Sequence, residues 1–149
     1  MMEPFIFRIR DCYYIQASYP APAEHRHLAA HLVFALERPF TALVDGAPVE
    51  TAGIVIGSDI PHTILSETPA LVVFIDELTP MSRCVKHTLL QGAPWRMLDT
   101  AVSAKVGNRW RNVRMEADAA VAAAETERLL ALQAERASPE DSRVLEAAA

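Results

Sequence analysis

The strongest constraint on this fold is a series of short apolar runs crowded into the first eighty residues. "FIFRI", "CYYIQASY", "HLVFALE", "FTALV", "GIVIG", "HTIL" and "ALVVFI" follow one another, separated by Pro, Gly and Asp. Each is shorter than the ten to twelve residues an ordinary helix needs, and all are rich in β-branched and aromatic side chains, so they read as strands. The dipeptide Asp45-Gly46 is a hairpin signal, because both central positions of a tight hairpin turn need residues that tolerate positive φ. About eight short strands with closely spaced turns predict a mostly β sandwich or barrel.

After Pro80 the texture changes. "MSRCVKHTLLQG" predicts a helix stopped at Gly92, and "PWRMLDTAVSAKVG" predicts a second, with Pro94 at its start and Gly107 past its end. "RMEADAAVAAAETERLLALQAERAS" then predicts a long helix, with no Gly or Pro and with Glu116 and Asp118 near its positive end. Met115, Ala119, Ala122, Thr126 and Leu129 make one stripe on it, widened by Leu130 and Leu132. That stripe packs either on the chain's own barrel or on a second copy. The organisation read from sequence is a β-barrel over 1–80, a helical dimerisation or packing region over 81–137, and a linker-like tail over 138–149.

The chain is 51% hydrophobic, enough for one real core, and its formal net charge of −5 argues against phosphate recognition by bulk electrostatics. "RWRNVR", Arg109 to Arg114, reads as a helix boundary with Trp110 packed and its arginines solvated, rather than as a nucleic-acid patch. Cys12 and Cys84 form no CxxC pair and read as two reduced thiols. The longest apolar run, "ALVVFI", is too short to cross a bilayer, so the expectation is a cytoplasmic protein without membrane contact.

Chemistry concentrates in "AEHRHLAAH", Ala23 to His31, which holds three of the five histidines. His25, His27 and His31 share parity, so along an extended backbone their imidazoles face one way, followed by Val33 and Ala35. Leu28, Ala30, Leu32, Phe34 and Leu36 face the other way. A fourth histidine, His62, opens another strand, and such a set could hold one divalent transition metal, Zn, Ni, Fe or Mn. The same groups could equally form a metal-free ligand pocket, or sit at a barrel mouth with no function. Tyr13 and Tyr14 are candidate walls of the pocket, Tyr14 being taken as a ligand-binding residue, and His87 reads as a surface residue.

"HRHLAAH" followed by "GIVIGSDIPH" resembles the two motifs of the cupin superfamily, with His31 standing where the first motif has Glu. The order of His-x-His, "LVFALERPFTALVDG", "IVIGSDIPH", "LVVFIDELTPMSR" and then helices is similar to the N-terminal sensing domain of AraC-type transcription regulators. That resemblance implies a cupin (double-stranded β-helix) barrel followed by C-terminal α-helices. It implies a small effector bound near His25, His27, His31 and His62, a homodimer formed through the helices, and DNA contacted only through a domain beyond this chain. The tail "SPEDSRVLEAAA" looks like the linker to such a domain. The competing reading is a small metal-dependent cupin enzyme, a dioxygenase or isomerase. Glu24 and Asp59 are poorly placed as its general base, one by strand parity and the other by its predicted turn.

Overall fold

In the computed structural model, residues 5–18, 29–65 and 68–132 are described. His25, His27 and the tail assigned to 138–149 lie outside them. Eight strands precede Pro80: β1 (Phe5–Ile9), β2 (Cys12–Ser18), β3 (Ala30–Ala35), β4 (Phe40–Val44), β5 (Ala47–Thr51), β6 (Gly53–Ile56), β7 (His62–Ile64) and β8 (Pro69–Ile75). After them come α1 (Pro80–Val85), a π-helical turn (Lys86–Leu90), β9 (Trp95–Met97), α2 (Thr100–Trp110) and α3 (Glu116–Leu129). The strands form a six-stranded sheet in the order β1-β2-β8-β3-β6-β9 and a three-stranded sheet in the order β5-β4-β7, with every pair antiparallel. The chain is thus mostly β, two antiparallel sheets followed by helices.

Alternation of side chains sorts the strand residues into two cores. On the inner face, Val33, Ile54, Ile56, Ala70 and Val72 of the large sheet meet Phe40, Ala42, Val44, Val49 and Ile64 of the small one. On the outer face, Leu32, Phe34, Val55, Leu71, Val73 and Ile75 meet Val106, Trp110, Ala119, Ala122 and Ala123 of the helices. Strands β3, β6 and β8 are therefore covered on both sides, which is why their sequences are nearly continuous apolar runs.

The Asp45-Gly46 turn is present, with φ of 48° and 82°, and it joins β4 to β5. Strand β5 carries Pro48, tolerated because β5 is an edge of its sheet.

Three helical expectations need correction. "PWRMLDTAVSAKVG" is not one helix. Trp95–Met97 zips onto β6, fastened by Gly57 N–H to Pro94 O at 2.8 Å and Leu98 N–H to Gly53 O at 2.9 Å. The helix starts only where the Asp99 carboxylate accepts the Val102 N–H, and it runs through Gly107. That glycine does not stop the helix. It lets the helix touch the sheet, since a Cβ there would lie 2.2 Å from Ala35 O.

The third helix is shorter than its uninterrupted sequence predicts, because Ala131 adopts a left-handed φ of 58°. The Ala131 N–H then bonds to Arg128 O and the Leu132 N–H to Glu127 O, a Schellman closure that buries Leu130 and Leu132. The apolar stripe on α3 is present at Ala119, Ala122, Thr126 and Leu129, joined by Ala123 and packed on the chain's own core, while Met115 is 72% exposed and lies outside it.

"RWRNVR" is a boundary with Trp110 fully buried, but its arginines do more than meet water. Arg109 pairs with Asp118 and Glu125, Arg111 Nε donates to Leu36 O at 2.7 Å, and Arg114 donates to Gln16 Oε1 at 3.1 Å.

Cys12 lies in the outer core, 3% exposed, and its thiol is pushed up to about 12 from an ordinary 9.0. Burial is the main cause, with the Glu127 and Asp11 carboxylates adding and Arg10 opposing. The Tyr14 phenol is raised as well, again chiefly by burial. Both groups hold their protons to higher pH when folded than when unfolded. The stability tied to Cys12 is therefore complete below pH 9.0 and is lost as pH rises toward about 12. Iodoacetamide at neutral pH is expected to label Cys84 in the native protein and Cys12 only after denaturation. Equal labelling rates would contradict the burial of Cys12.

Candidate functional site

Strand β3 carries His31 on the inner face and β7 carries His62 opposite it, so the two sheets bring together histidines thirty-one positions apart in sequence. Both are buried, at 2% and 3% exposure, and their ring centroids are 4.4 Å apart at an interplanar angle of 50°. They sit at one end of the inner face, beside Phe74 of β8, whose ring centroid is 5.3 Å from that of His31.

The backbone fixes the state of one ring. His62 Nδ1 lies 2.7 Å from Ile60 O. A carbonyl only accepts, so Nδ1 carries the proton and, in the neutral ring, Nε2 carries the lone pair. His31 Nδ1 is 3.5 Å from Ala29 O, a longer approach in the same sense. An imidazole whose Nδ1–H is held by a backbone carbonyl is oriented as metal-ligating histidines commonly are. His31 and His62 thus fit as two members of a divalent-metal set. Among the described residues no group of three His, Cys, Asp or Glu side chains gathers into a fuller one.

The register shows a further arrangement. Arg8 pairs with Tyr13, Tyr13 with Phe74, Phe74 with His31, His31 with Ile56 and Ile56 with Trp95. These six residues form one row across the whole large sheet. Its members grade from buried, at His31 and Ile56, through the half-buried Phe74 and Trp95 to Tyr13, 45% exposed, with the Arg8 guanidinium 5.7 Å from its ring centroid.

Tyr13, not Tyr14, therefore shares the histidines' face. Tyr14 lies on the outer face, 2% exposed, stacked on Trp110 with centroids 4.9 Å apart and planes 10° from parallel. Sequence reasoning passed over Phe74 and Trp95, although the cross-strand partner of His31 on the central strand "ALVVFI" was a place to look for a wall of the site. His87 is exposed on the π-helical turn, and Asp59 is exposed in the β6–β7 connection with a left-handed φ of 61°.

No helix among the described residues is long and apolar enough to cross a membrane. No family profile matches the chain, and no curated protein matches it. Solved structures do. A protein from Neisseria meningitidis is similar at 16% identity over 50% of this chain and 84% of its own, with a TM-score of 0.45. A cupin protein from Bacteroides fragilis is similar at 16% identity over 46% of this chain and 68% of its own, with a TM-score of 0.41. A cupin-2 domain containing protein from Shewanella frigidimarina is similar at 11% identity over 50% of this chain and 78% of its own, with a TM-score of 0.42. The mostly β, two-sheet architecture with helices after it is the fold class the sequence resemblance implied, and solved structures similar to it include proteins described as cupins.

Proposed function

We propose that this chain is a cupin-type sensing domain of an AraC-type regulator, which binds a small effector at the His31–His62 end of its barrel. One observation carries the reading. Two buried imidazoles face each other across the two sheets beside an apolar cluster of Val, Ile, Ala and Phe. The helices pack on the opposite face of β3, so a ligand on one side of that strand and the helices on the other share it.

The lining also points to the class of effector. Among the described residues, a polyol would meet aliphatic side chains and two imidazoles, and each hydroxyl left unpaired would cost about 1–3 kcal/mol. A planar apolar ring bearing one or two polar groups would pack along Phe74 and Tyr13 and direct its polar end to the histidines. A divalent metal held by His31 and His62 would serve as one such polar anchor. The homodimer, in this reading, uses the outward side of α3, where Val121 is 53% exposed, because the inward side is filled by the chain itself.

A thermal-shift panel of phenols, benzoates and monosaccharides, run with and without Zn²⁺ or Ni²⁺, tests the proposal. Ring compounds are expected to raise Tm, monosaccharides are not, and His31→Ala and His62→Ala are expected to abolish the rise. No stabilisation by any compound, or stabilisation that survives both substitutions, would remove the site from consideration. Light scattering on the same samples reports the dimer.

A further inference from the structure

We propose that α2 is a rigid coupler, which carries a displacement of β3 in the barrel interior to α3 on the outside. The inference rests on the reading above only for what moves β3 in the cell; the coupler itself follows from how α2 is seated.

Strand β3 presents His31 to the interior, and its last residue and the one after it each turn a carbonyl to α2. At Gly107 the helix lies directly on Ala35 O, close enough that a Cβ would sit 2.2 Å from it. One turn later, Arg111 Nε donates to Leu36 O at 2.7 Å. A third contact lies on the neighbouring strand. Ser103 rests on Gly53, which pairs with Phe34 of β3, and a Cβ at Gly53 would lie 2.1 Å from Ser103 Oγ.

The same helix is also tied to α3. The fully buried Trp110 donates from Nε1 to Thr126 Oγ1 at 2.8 Å, and Arg109 reaches both Asp118 and Glu125.

What sets this seat apart is the missing layer of side chains. Ordinary helix–sheet packing has rotamers that adjust to a shift of a few tenths of an ångström. At Gly107 the backbone of the helix meets the backbone of the strand, and neither has a rotamer to change. A small movement of β3 must then move α2 as a body, and close-packed interiors pass such movements on. A second link, from the turn after β1 to α3, is Arg10 with Glu127, which uses a long side chain that is 40% exposed and yields more readily.

The experiment is native-state hydrogen exchange on the whole chain, without ligand. His31→Ala opens space at the interior end of β3. Amides of α3 are expected to exchange roughly tenfold faster, while those of the β1–β2 hairpin keep their rates. In a Gly107→Ala background, which lifts α2 off Ala35 O and so cuts the coupler at its seat, adding His31→Ala is expected to leave α3 unchanged. The proposal is overturned if His31→Ala alters β3 but not α3, if α3 and the hairpin accelerate together, or if the response persists in the cut background. Because no effector is present, a negative thermal-shift panel would leave this result standing, and failure here would leave the binding site standing.

Discussion

Trp110→Ala is expected to cost about 3–5 kcal/mol, the range found for removing a large buried aromatic. Trp110 is fully buried where three parts of the outer core meet. It stacks on Tyr14 of β2, lies 6.4 Å from Phe7 of β1 between ring centroids, and donates its only proton to Thr126 of α3. Natural domains hold about 5–15 kcal/mol in total, so the substitution would remove a large share of it. Two gentler substitutions separate its roles. Trp110→Phe keeps a stacking ring and drops the hydrogen bond. Thr126 still donates to Ala122 O at 2.8 Å, so the loss should be near 1 kcal/mol for the bond, with the lost ring volume added. Thr126→Val leaves a buried indole N–H unsatisfied, which costs about 1–3 kcal/mol. Urea denaturation should rank Trp110→Ala as by far the most damaging. If Trp110→Phe proved equally damaging, the hydrogen bond rather than the packing would be the main contribution.

Gly107→Ala is the second large effect, and its sign runs against helix propensity. In an exposed helix interior this change stabilises by about 1 kcal/mol. Here the new methyl would lie 2.2 Å from Ala35 O, a backbone atom that no rotamer can move. The helix must lift off β3, weakening the Arg111–Leu36 bond as it does, and overpacking of this kind costs about 1–3 kcal/mol or more. A net loss of stability by urea denaturation is expected. Gly53→Ala offers a contrast, because its obstacle is the Ser103 side chain, with Oγ at 2.1 Å and Cβ at 2.8 Å. Its damage should be partly relieved by Ser103→Gly, whereas no side-chain substitution can relieve Gly107→Ala. A Gly107→Ala variant as stable as the parent would mean that α2 is not seated on the strand.

These two glycines show where sequence reading reaches its limit. A glycine at the end of a helix-forming stretch has two physical meanings, a left-handed stop or a close approach, and only the neighbouring strand distinguishes them. Gly107 read as the first and is the second. Ala131 is the reverse case, a left-handed stop without the residue that usually marks one. It is imposed by the burial of Leu130 and Leu132 rather than by local preference. The strands were more legible, because a two-sided sheet writes itself as continuous β-branched runs and a hairpin turn as Asp-Gly. β9 escaped notice because three residues, Trp95–Met97, carry too little pattern to compete with the helix-forming sequence after them.

The candidate site was legible in the same uneven way. Parity alone placed His31, Val33 and Ala35 on one face, and the structure puts Val33 and Ala35 in or against the inner core. Parity could not choose between Tyr13 and Tyr14. Adjacent residues always point oppositely, and which of them faces inward depends on the register of β2 against β8, where Tyr13 meets Phe74. Register is a long-range property, and nothing local to "CYYIQASY" encodes it.

The β9–β6 pairing bears on how this protein could be cut and joined. A fragment ending near residue 80 would keep the strands that carry His31 and His62. It would leave β6 as a bare sheet edge and strip the helices from Leu32, Phe34, Leu71 and Val73. Such a piece invites strand-to-strand aggregation rather than folding. For anyone joining this barrel to a second protein, the safe junction lies beyond Leu132, where the last buried side chain of the described core has been passed. The barrel and its helices travel as one transplantable part.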